Sequence, residues 1–308
     1  MDINHVFNRN RRKWLSIFIL FAFFSTFVTV AYAREGPQGK GENHFLWSIE
    51  TGTNRIYLLG SLHVLKGDSF PLAKEIEEAY SKCRKIVLEI DLDSVNDPAF
   101  QAKIITLGLY PNGQTLEQNV SEQTYRLLKK RVDALGLSVA QFDRLKPWVC
   151  ALTLTLMEFQ RLGFDSSYGI DMYFFRRAKR DGKEIIALET LEYQLELFTE
   201  MAKAEQESFL SQAIKDLDVI ETMASEMVES WKAGDTDSLD SIIRISFKEH
   251  PDMYDRFITQ RNKKWVSQIE NLMRQNDNIL VIVGAGHLVG TGSIRELLKK
   301  KGYKIVQR

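Results

Sequence analysis

The chain has 308 residues, of which 44% are hydrophobic, and its 41 basic side chains equal its 41 acidic ones in number. This balance argues against a nucleic-acid-binding protein, because phosphates are bound by a clustered excess of Lys and Arg. The length allows a large buried core in one domain or two.

The first 33 residues have the three parts of a secretory signal. Four basic residues lie within residues 9–13, an apolar stretch covers residues 14–30, and Ala31-Tyr32-Ala33 supplies a small-x-small end. We expect cleavage after Ala33, which would make the protein periplasmic or secreted. The alternative is an uncleaved anchor, because residues 14–33 are long enough to span a bilayer. The membrane would then be reached only through this segment.

The chain has two cysteines, Cys83 and Cys150. Export would allow them to form a disulfide, whereas spacing alone does not show that they come within bridging distance. A disulfide and two buried free thiols therefore both remain open. A zinc site built mainly from cysteines is excluded.

The first half of the mature chain alternates strands with helices. Residues 34–44 are polar and Gly-rich and predict a flexible lead-in. Strands are predicted over residues 45–49, 55–60 and 85–90, with a helix from Pro71 to about Cys83 between the last two. Residues 98–163 have a helical pattern, in which Ser121 caps one helix and Pro147 begins another. A further helix is predicted over residues 168–182.

The second half contains a long helical block. A strand is predicted over residues 184–188, and residues 191–276 carry no convincing strand, with Asp235 capping one of the helices. A strand over 278–283, a helix over 293–301 and a strand over 303–306 follow. We therefore expect an α/β fold in a single domain over residues 45–308. A mostly parallel or mixed sheet would be flanked by helices, with a helical insertion over about 191–276.

Four of the predicted strands lead directly to a titratable residue. These residues are His63, Glu89, Glu189 and His287. In open α/β sheets the carboxyl ends of parallel strands lie at one edge, where ligands bind, so the four side chains should converge. Two imidazoles and two carboxylates are suited to a metal site or an acid–base site.

The two histidines also share a local pattern. Gly60-Ser61-Leu62-His63 and Gly284-Ala285-Gly286-His287 both place a glycine after a strand and a histidine three residues later. A glycine allows a sharp turn at this point, because it has no Cβ. A single histidine after a strand is commonly incidental, and two in the same context favour a functional role.

Each acidic or basic candidate has an ordinary structural alternative. Glu89 is favoured over Glu189, because its strand follows the His63 strand after one helix, as an adjacent parallel strand would. Glu189 could instead cap the next helix. Asp171 lies at a helix start, so that capping and ligation both remain open. Arg261 lies on a helical stretch, where a surface arginine is the default interpretation.

Several familiar motifs are absent from the sequence. It contains no HExxH, no GxSxG and no GxxxxGK[ST]. Residues 283–290 approach a dinucleotide-binding fingerprint, but the third glycine is one residue late and too little chain follows for a nucleotide-binding half.

At these residues the sequence resembles the TraB/GumN family, which is related to the Tiki proteases and distantly to the erythromycin esterases. The resemblance covers roughly residues 45–306 and implies that His63 and His287 are the signature histidines and Glu89 the signature glutamate. Tiki relatives are membrane-associated, metal-dependent peptidases. The other markers are Leu46-Trp47, Pro71-Leu72, Leu145-Lys146-Pro147-Trp148, Gly169-Ile170-Asp171, Leu188-Glu189-Thr190 and Arg261-Asn262.

The leading hypothesis is an exported metal-dependent hydrolase that cleaves a peptide or amide bond in a peptide or small-molecule substrate. His63, His287 and Glu89 would hold a divalent ion, and this ligand set suits Zn, Mn, Co or Fe. Glu89 could instead be the general base, with Asp171 or Glu189 as a ligand. Arg261 is a candidate for stabilising developing negative charge.

The main alternative is a non-catalytic exported protein that binds a peptide, haem or a metal with the same histidines. A third alternative is a relative that keeps the fold for structure alone, although the presence of both histidines argues against it.

Overall fold

The computed structural model describes residues 43–52 and 54–308. The predicted signal and the first nine residues of the lead-in lie outside the described residues. Within them, six strands form one sheet in the order β4-β3-β5-β2-β1-β6. The strands are β1 (Leu46–Glu50), β2 (Arg55–Ser61), β3 (Lys85–Leu88), β4 (Glu184–Ala187), β5 (Ile279–Gly284) and β6 (Ile305–Gln307).

Helices connect all of these strands except β1 and β2, which a short turn joins, so the predicted α/β class with a mixed sheet is confirmed. A π-helical turn, Asp255–Thr259, joins two of the helices directly. The α-helices are α1 (Lys74–Lys82), α2 (Pro98–Gly108), α3 (Leu116–Asn119), α4 (Glu122–Ala134), α5 (Pro147–Arg161), α6 (Ile170–Asp181), α7 (Leu191–Thr199), α8 (Lys203–Asp216), α9 (Ile220–Lys232), α10 (Thr236–Ser246), α11 (Pro251–Tyr254), α12 (Gln260–Met273) and α13 (Ile294–Lys300).

Four neighbouring strands, β4, β3, β5 and β2, are parallel, whereas β1 is antiparallel to both β2 and β6. The carboxyl ends of the four parallel strands therefore lie at one edge. The prediction that the His63 and Glu89 strands are neighbours is wrong, because β5 lies between β2 and β3. All six residues of β5 are buried, and an apolar strand with no exposed face is most stable at the centre of a parallel sheet.

Three of the four predicted helix-start signals are confirmed. Ser121 accepts a hydrogen bond from the Thr124 backbone N–H at the start of α4, and Asp235 caps α10 in the same way. Pro147 is the first residue of α5. The predicted helix start at Pro71 is wrong: α1 begins at Lys74, because the chain is still extended at Ala73, where ψ is 144°.

The helices α7 to α12 lie between β4 and β5, and residues 191–276 contain no strand. They are joined to the rest of the fold by packing and by several buried hydrogen bonds. Helix α8 packs mainly against α5 and α4, and the Trp231 indole N–H in α9 donates to the Gly60 carbonyl in β2 at 2.6 Å. In the described part of the chain, no helix combines the length and apolar composition needed to cross a bilayer.

The two cysteines are both free and buried. Of the two alternatives, the structure therefore contains the pair of buried thiols. Burial raises the pKa of Cys83 to about 12, and it also raises the pKa of Cys150. Neither thiol has the lowered pKa of a reactive cysteine.

Candidate functional site

The four strand-end residues lie together at the carboxyl edge of the parallel strands. His63 follows β2, Glu89 follows β3 directly, Glu189 follows β4, and His287 lies in a 3-10 turn, Ala285–Leu288, after β5. The side chains are buried: His63 is 4% exposed, Glu89 5% and His287 0%, and the Glu189 side chain is 7% exposed. The topology of the sheet, not proximity in sequence, brings them together.

Gly284 marks the centre of this cluster. A Cβ atom built on Gly284 would lie 3.2 Å from Glu89 Oε1, 3.4 Å from His63 Nε2 and 3.5 Å from His287 Cδ2. The Gly284 N–H donates to Glu89 Oε1 at 2.7 Å. Glycine at this position therefore leaves space for three of the candidate side chains and holds one of them directly.

Asp171 contacts the His63 ring at Nδ1, the nitrogen that does not face Gly284. The His63 Nδ1 lies 3.1 Å from Asp171 Oδ2, and Ser61 Oγ donates to Asp171 Oδ1 at 3.0 Å. The backbone N–H of Asp171, in the first turn of α6, donates back to Ser61 Oγ at 3.3 Å. The carboxylate thus fixes the His63 ring so that Nε2 faces Gly284.

Asn262 holds the His287 ring in the corresponding way. Asn262 Nδ2 donates to the Gly292 carbonyl at 2.9 Å, so its Oδ1 is the atom 2.6 Å from His287 Nδ1. Nδ1 must therefore carry the proton and donate to Asn262, which leaves the lone pair of the neutral ring on Nε2. Trp265, one turn further along α12, packs its ring 4.5 Å from the His287 ring.

The two histidines differ in protonation. Burial alone would lower the pKa of His63, but the charge of Asp171 and its hydrogen bond outweigh burial and raise the pKa. The pKa of His287 falls well below its ordinary value, because the ring is buried and lies near the charges of Arg261 and His63. His287 is therefore neutral at pH 7, and His63 carries a proton more readily than a free imidazole does.

Arg261 lies at the centre of the polar contacts, so the default interpretation of a surface arginine is wrong. Its side chain is 0% exposed. Its Nη2 donates to Glu89 Oε2 at 2.6 Å, its Nε donates to Glu189 Oε1 at 3.0 Å, and its Nη1 donates to the Phe257 carbonyl at 3.0 Å. Burial would lower the pKa of Arg261, but the two carboxylates raise it. The guanidinium therefore remains charged and links β3 and β4 to α12.

The π-helical turn before α12 contributes to this arrangement, because Phe257 belongs to it. Turns of this kind occur often at functional sites. Arg261 Nη1 also lies 3.2 Å from His287 Nε2, to which it donates because the neutral ring has its lone pair there. One guanidinium thus contacts two carboxylates and one imidazole.

Glu89 is among the residues nearest to Gly284, whereas Glu189 is not. Besides Arg261, its carboxylate accepts from Gln194 Nε2 at 2.8 Å and from Trp265 Nε1 at 3.2 Å. Gln194 also donates to Glu89 Oε2 at 3.3 Å. Burial raises the pKa of Glu189, although the nearby guanidinium opposes this shift. The cap of α7 is Thr190, so Glu189 does not have that role.

Four residues of the site were not assigned from the sequence: Ser61, Gln194, Asn262 and Trp265. Ser61 lies inside the first GxxH motif, and Asn262 follows Arg261, so both had a positional signal. Trp265 lies four residues after Arg261, on the same helix face. Gln194 had no signal in the sequence beyond its place one turn into α7.

The donor types at this site suit a divalent metal ion, although one contact opposes its binding. His63 Nε2, His287 Nε2 and Glu89 Oε1 are ligands that Zn, Mn, Co and Fe accept. Within residues 43–52 and 54–308, however, no three His, Cys, Asp or Glu side chains are grouped so as to hold a metal ion. The His287 Nε2 lies 3.9 Å from Glu89 Oε1 and is in contact with Arg261. The donor atoms are therefore of types that bind a metal ion, whereas the contact of Arg261 with His287 Nε2 opposes binding of the ion.

The two GxxH loops thus meet at one edge of a mixed α/β sheet. A model of the TraB/PrgY/gumN family matches residues 45–307. The chain therefore belongs to the TraB/PrgY/gumN family, as its resemblance to TraB/GumN proteins predicts.

The relatives of this chain include bacterial and animal proteins. The protein YbaP of Escherichia coli (strain K12) is 24% identical over 261 residues, which are 83% of this chain and 94% of YbaP. Metalloprotease TIKI2 of Danio rerio is 23% identical over 320 residues, which are 86% of this chain and 61% of that protein. A metalloprotease TIKI homolog of Amphimedon queenslandica is 23% identical, with the same two shares. The match thus spans less than two thirds of these animal proteins, and no solved structure matches the chain.

Proposed function

We propose that this protein is an exported, metal-dependent hydrolase that cleaves a peptide or amide bond. The observation that carries the proposal is the matched support of the two imidazoles. Asp171 holds His63 at Nδ1 and Asn262 holds His287 at Nδ1, so that both rings direct Nε2 towards the space beside Glu89. Histidines that bind metals characteristically donate their other ring N–H to a carboxylate or carbonyl in this manner.

His63 Nε2, His287 Nε2 and Glu89 Oε1 would hold the ion. A divalent ion at such a site polarises a carbonyl and lowers the pKa of water. The metal itself is a proposal, supported by the donor types and by the name metalloprotease that the animal relatives carry. Asp171 and Glu189, which the sequence suggested as further ligands, would instead orient His63 and anchor Arg261.

The protein's own groups have distinct tasks in this proposal. Glu89 is held in place by the Gly284 N–H, and Arg261 compensates its charge. Arg261 is also close enough to the site to stabilise negative charge that develops on a substrate carbonyl. Asp171 Oδ2 lies 3.1 Å from His63 Nδ1, so that Nδ1 would carry the ring proton and Nε2 would offer its lone pair to the ion. The burial of all these groups strengthens their interactions, because water does not screen them.

Export remains part of the proposal and is supported by the pattern of residues 1–33 alone. Sequencing the N-terminus of the protein recovered from a secreting host tests it. Cleavage after Ala33 is the expected result. An intact N-terminus in the membrane fraction would favour the anchored alternative.

The hydrolase proposal is tested with purified protein and a peptide library, with and without a chelator. We expect cleavage that chelation abolishes and that Zn, Mn, Co or Fe(II) restores. His63→Ala and His287→Ala should both abolish it. His250→Ala is the matched control, because His250 contacts Ser208 outside this site and its change should leave cleavage intact.

Cleavage that persists through both chelation and His63→Ala would rule out the metal-hydrolase proposal. Tight binding of haem, a peptide or a metal without any turnover would favour the binding protein instead. The two functions are therefore separated by measuring binding and cleavage on the same preparation.

A further inference from the structure

Arg261 donates a hydrogen bond to the His287 nitrogen that would otherwise bind a metal. The His287 Nδ1 donates to Asn262 Oδ1 at 2.6 Å, so Nε2 is the ring's acceptor, and Arg261 Nη1 lies 3.2 Å from it. An imidazole nitrogen has one lone pair. The same Nε2 cannot accept a hydrogen bond from Arg261 and bind an ion at the same time.

The second contact of Arg261 in the site concerns Glu89. Arg261 Nη2 donates to Glu89 Oε2 at 2.6 Å, and its positive charge compensates a buried carboxylate that would otherwise be strongly destabilising. A divalent ion beside Glu89 Oε1 would supply the same compensation. Arg261 and a metal ion thus satisfy the same two side chains, and they repel each other by charge.

The guanidinium has a second anchor that does not involve the metal position. Its Nε lies 3.0 Å and 3.2 Å from the two oxygens of Glu189, and its Cζ lies 4.5 Å from the centre of the Trp265 ring. The Phe257 carbonyl accepts from Nη1 at 3.0 Å. Arg261 could therefore release His287 and still keep partners for Nε and Nη1.

We propose that Arg261 is a built-in competitor of the metal, which holds His287 and Glu89 in the metal-free protein and releases His287 when an ion binds. Arg261 then remains anchored on Glu189. This inference rests on the proposed function, because it concerns the same ion. In this inference Arg261 sets how tightly the ion is held.

The test is the affinity for zinc or manganese ions alone, measured by competition with a chromophoric chelator on the purified protein. Arg261→Gln removes the charge and the bond to His287, and it should tighten metal binding by about tenfold or more, the change that one charge-assisted hydrogen bond corresponds to. Arg131→Gln is the matched control, because Arg131 forms ion pairs with Asp218 and Glu158 outside the site. Its metal affinity should equal that of the wild type.

The outcomes separate this inference from the proposed function. If the wild type binds the ion and Arg261→Gln binds it equally or more weakly, Arg261 is not a competitor, and the hydrolase proposal survives. If neither protein binds an ion, both proposals fail. Binding that appears only in Arg261→Gln supports the competition in its strongest form.

A second measurement covers the case in which Arg261→Gln does not fold. Crystal structures of the wild-type protein before and after soaking with zinc or manganese give the separation of Arg261 Nη1 and His287 Nε2 directly. We expect the 3.2 Å contact in the metal-free crystal and a separation beyond hydrogen-bond distance with the ion bound. An unchanged contact in the ion-bound crystal would overturn the inference.

Discussion

Ser61, rather than Gly60, is the register partner of Gly284 where β2 and β5 run side by side. The two GxxH motifs are therefore offset by one residue in the sheet, with Gly60 opposite Val283. Because successive residues of a strand point to opposite faces, the two motif glycines face opposite sides of the sheet. A Cβ on Gly60 would collide with the Phe45 ring, whereas a Cβ on Gly284 would point at Glu89 and the two histidines.

This offset predicts different consequences for the two glycine-to-alanine changes. Gly60→Ala should lower the free energy of unfolding by about 1–3 kcal/mol, the usual cost of overpacking a core. The backbone at Gly284 has dihedral angles that alanine also adopts, with φ −49° and ψ 136°, so Gly284→Ala should lower the free energy of unfolding less than Gly60→Ala does. Gly284→Ala should also weaken metal binding, because the new methyl group displaces Glu89 Oε1. Urea unfolding and chelator competition measure the two effects, and equal behaviour of the two variants would contradict the offset.

Asp171 is expected to act through His63. Asp171→Asn removes the negative charge that raises the pKa of His63 and weakens the hold on its ring, so metal affinity should fall by about 10–100-fold, the usual effect of such supporting residues. Asp91→Asn is the control, because Asp91 follows β3 near the same edge and its carboxylate accepts hydrogen bonds from the nearby Asp93 N–H and Ser94 hydroxyl. Unchanged affinity in Asp171→Asn would mean that the carboxylate does not support metal binding.

Asn262 should keep His287 neutral. Asn262→Asp places a carboxylate on Nδ1, and an adjacent negative charge should raise the pKa of His287 by about one unit or more. The pH titration of the ring by NMR, on metal-free protein, measures this shift. Asn271→Asp, an exposed change on the same helix, should leave the His287 titration as it is. A His287 pKa that stays low in Asn262→Asp would contradict the assigned hydrogen bond.

The low pKa of His287 also predicts how stability depends on pH. The unfolded chain takes up a proton on this residue near pH 6.5, whereas the folded protein does so only at lower pH. The unfolded state therefore binds more protons below pH 6.5, and His287 contributes a loss of about 1.4 kcal/mol for each pH unit of acidification down to its folded pKa. Urea unfolding of metal-free protein between pH 7 and pH 5.5 should show a smaller loss in Asn262→Asp than in the wild type. Parallel curves would exclude His287 as the source.

The buried thiols give a simple check of the core. Cys83 and Cys150 are buried and their pKa values are raised, so neither should react with a thiol reagent at pH 8 while the protein is folded. Both should react once the protein is unfolded in denaturant, as mass spectrometry would show. Rapid labelling of the native protein, or a failure to label the unfolded protein without reductant, would contradict the two free buried thiols.

Features that depend on a few neighbouring residues could be predicted from the sequence. The strand pattern of β5, the caps at Ser121 and Asp235 and the glycine before each histidine all act over a few residues. The position of β5 between β2 and β3 could not be predicted, because strand order depends on packing between distant segments. The burial of Arg261 has the same origin: its carboxylate partners, Glu89 and Glu189, follow two other strands.

The parallel pairing of β2 with β5 has a consequence for the order in which the site can form. His63 lies early in the chain and His287 more than two hundred residues later, and β5 fills the centre of the sheet between β2 and β3. During synthesis those two earlier strands have no central neighbour until β5 emerges, and contacts over so long a separation form slowly. A nascent or truncated chain that lacks β5 therefore has no assembled site, so that any hydrolytic activity is withheld until the whole sheet is complete.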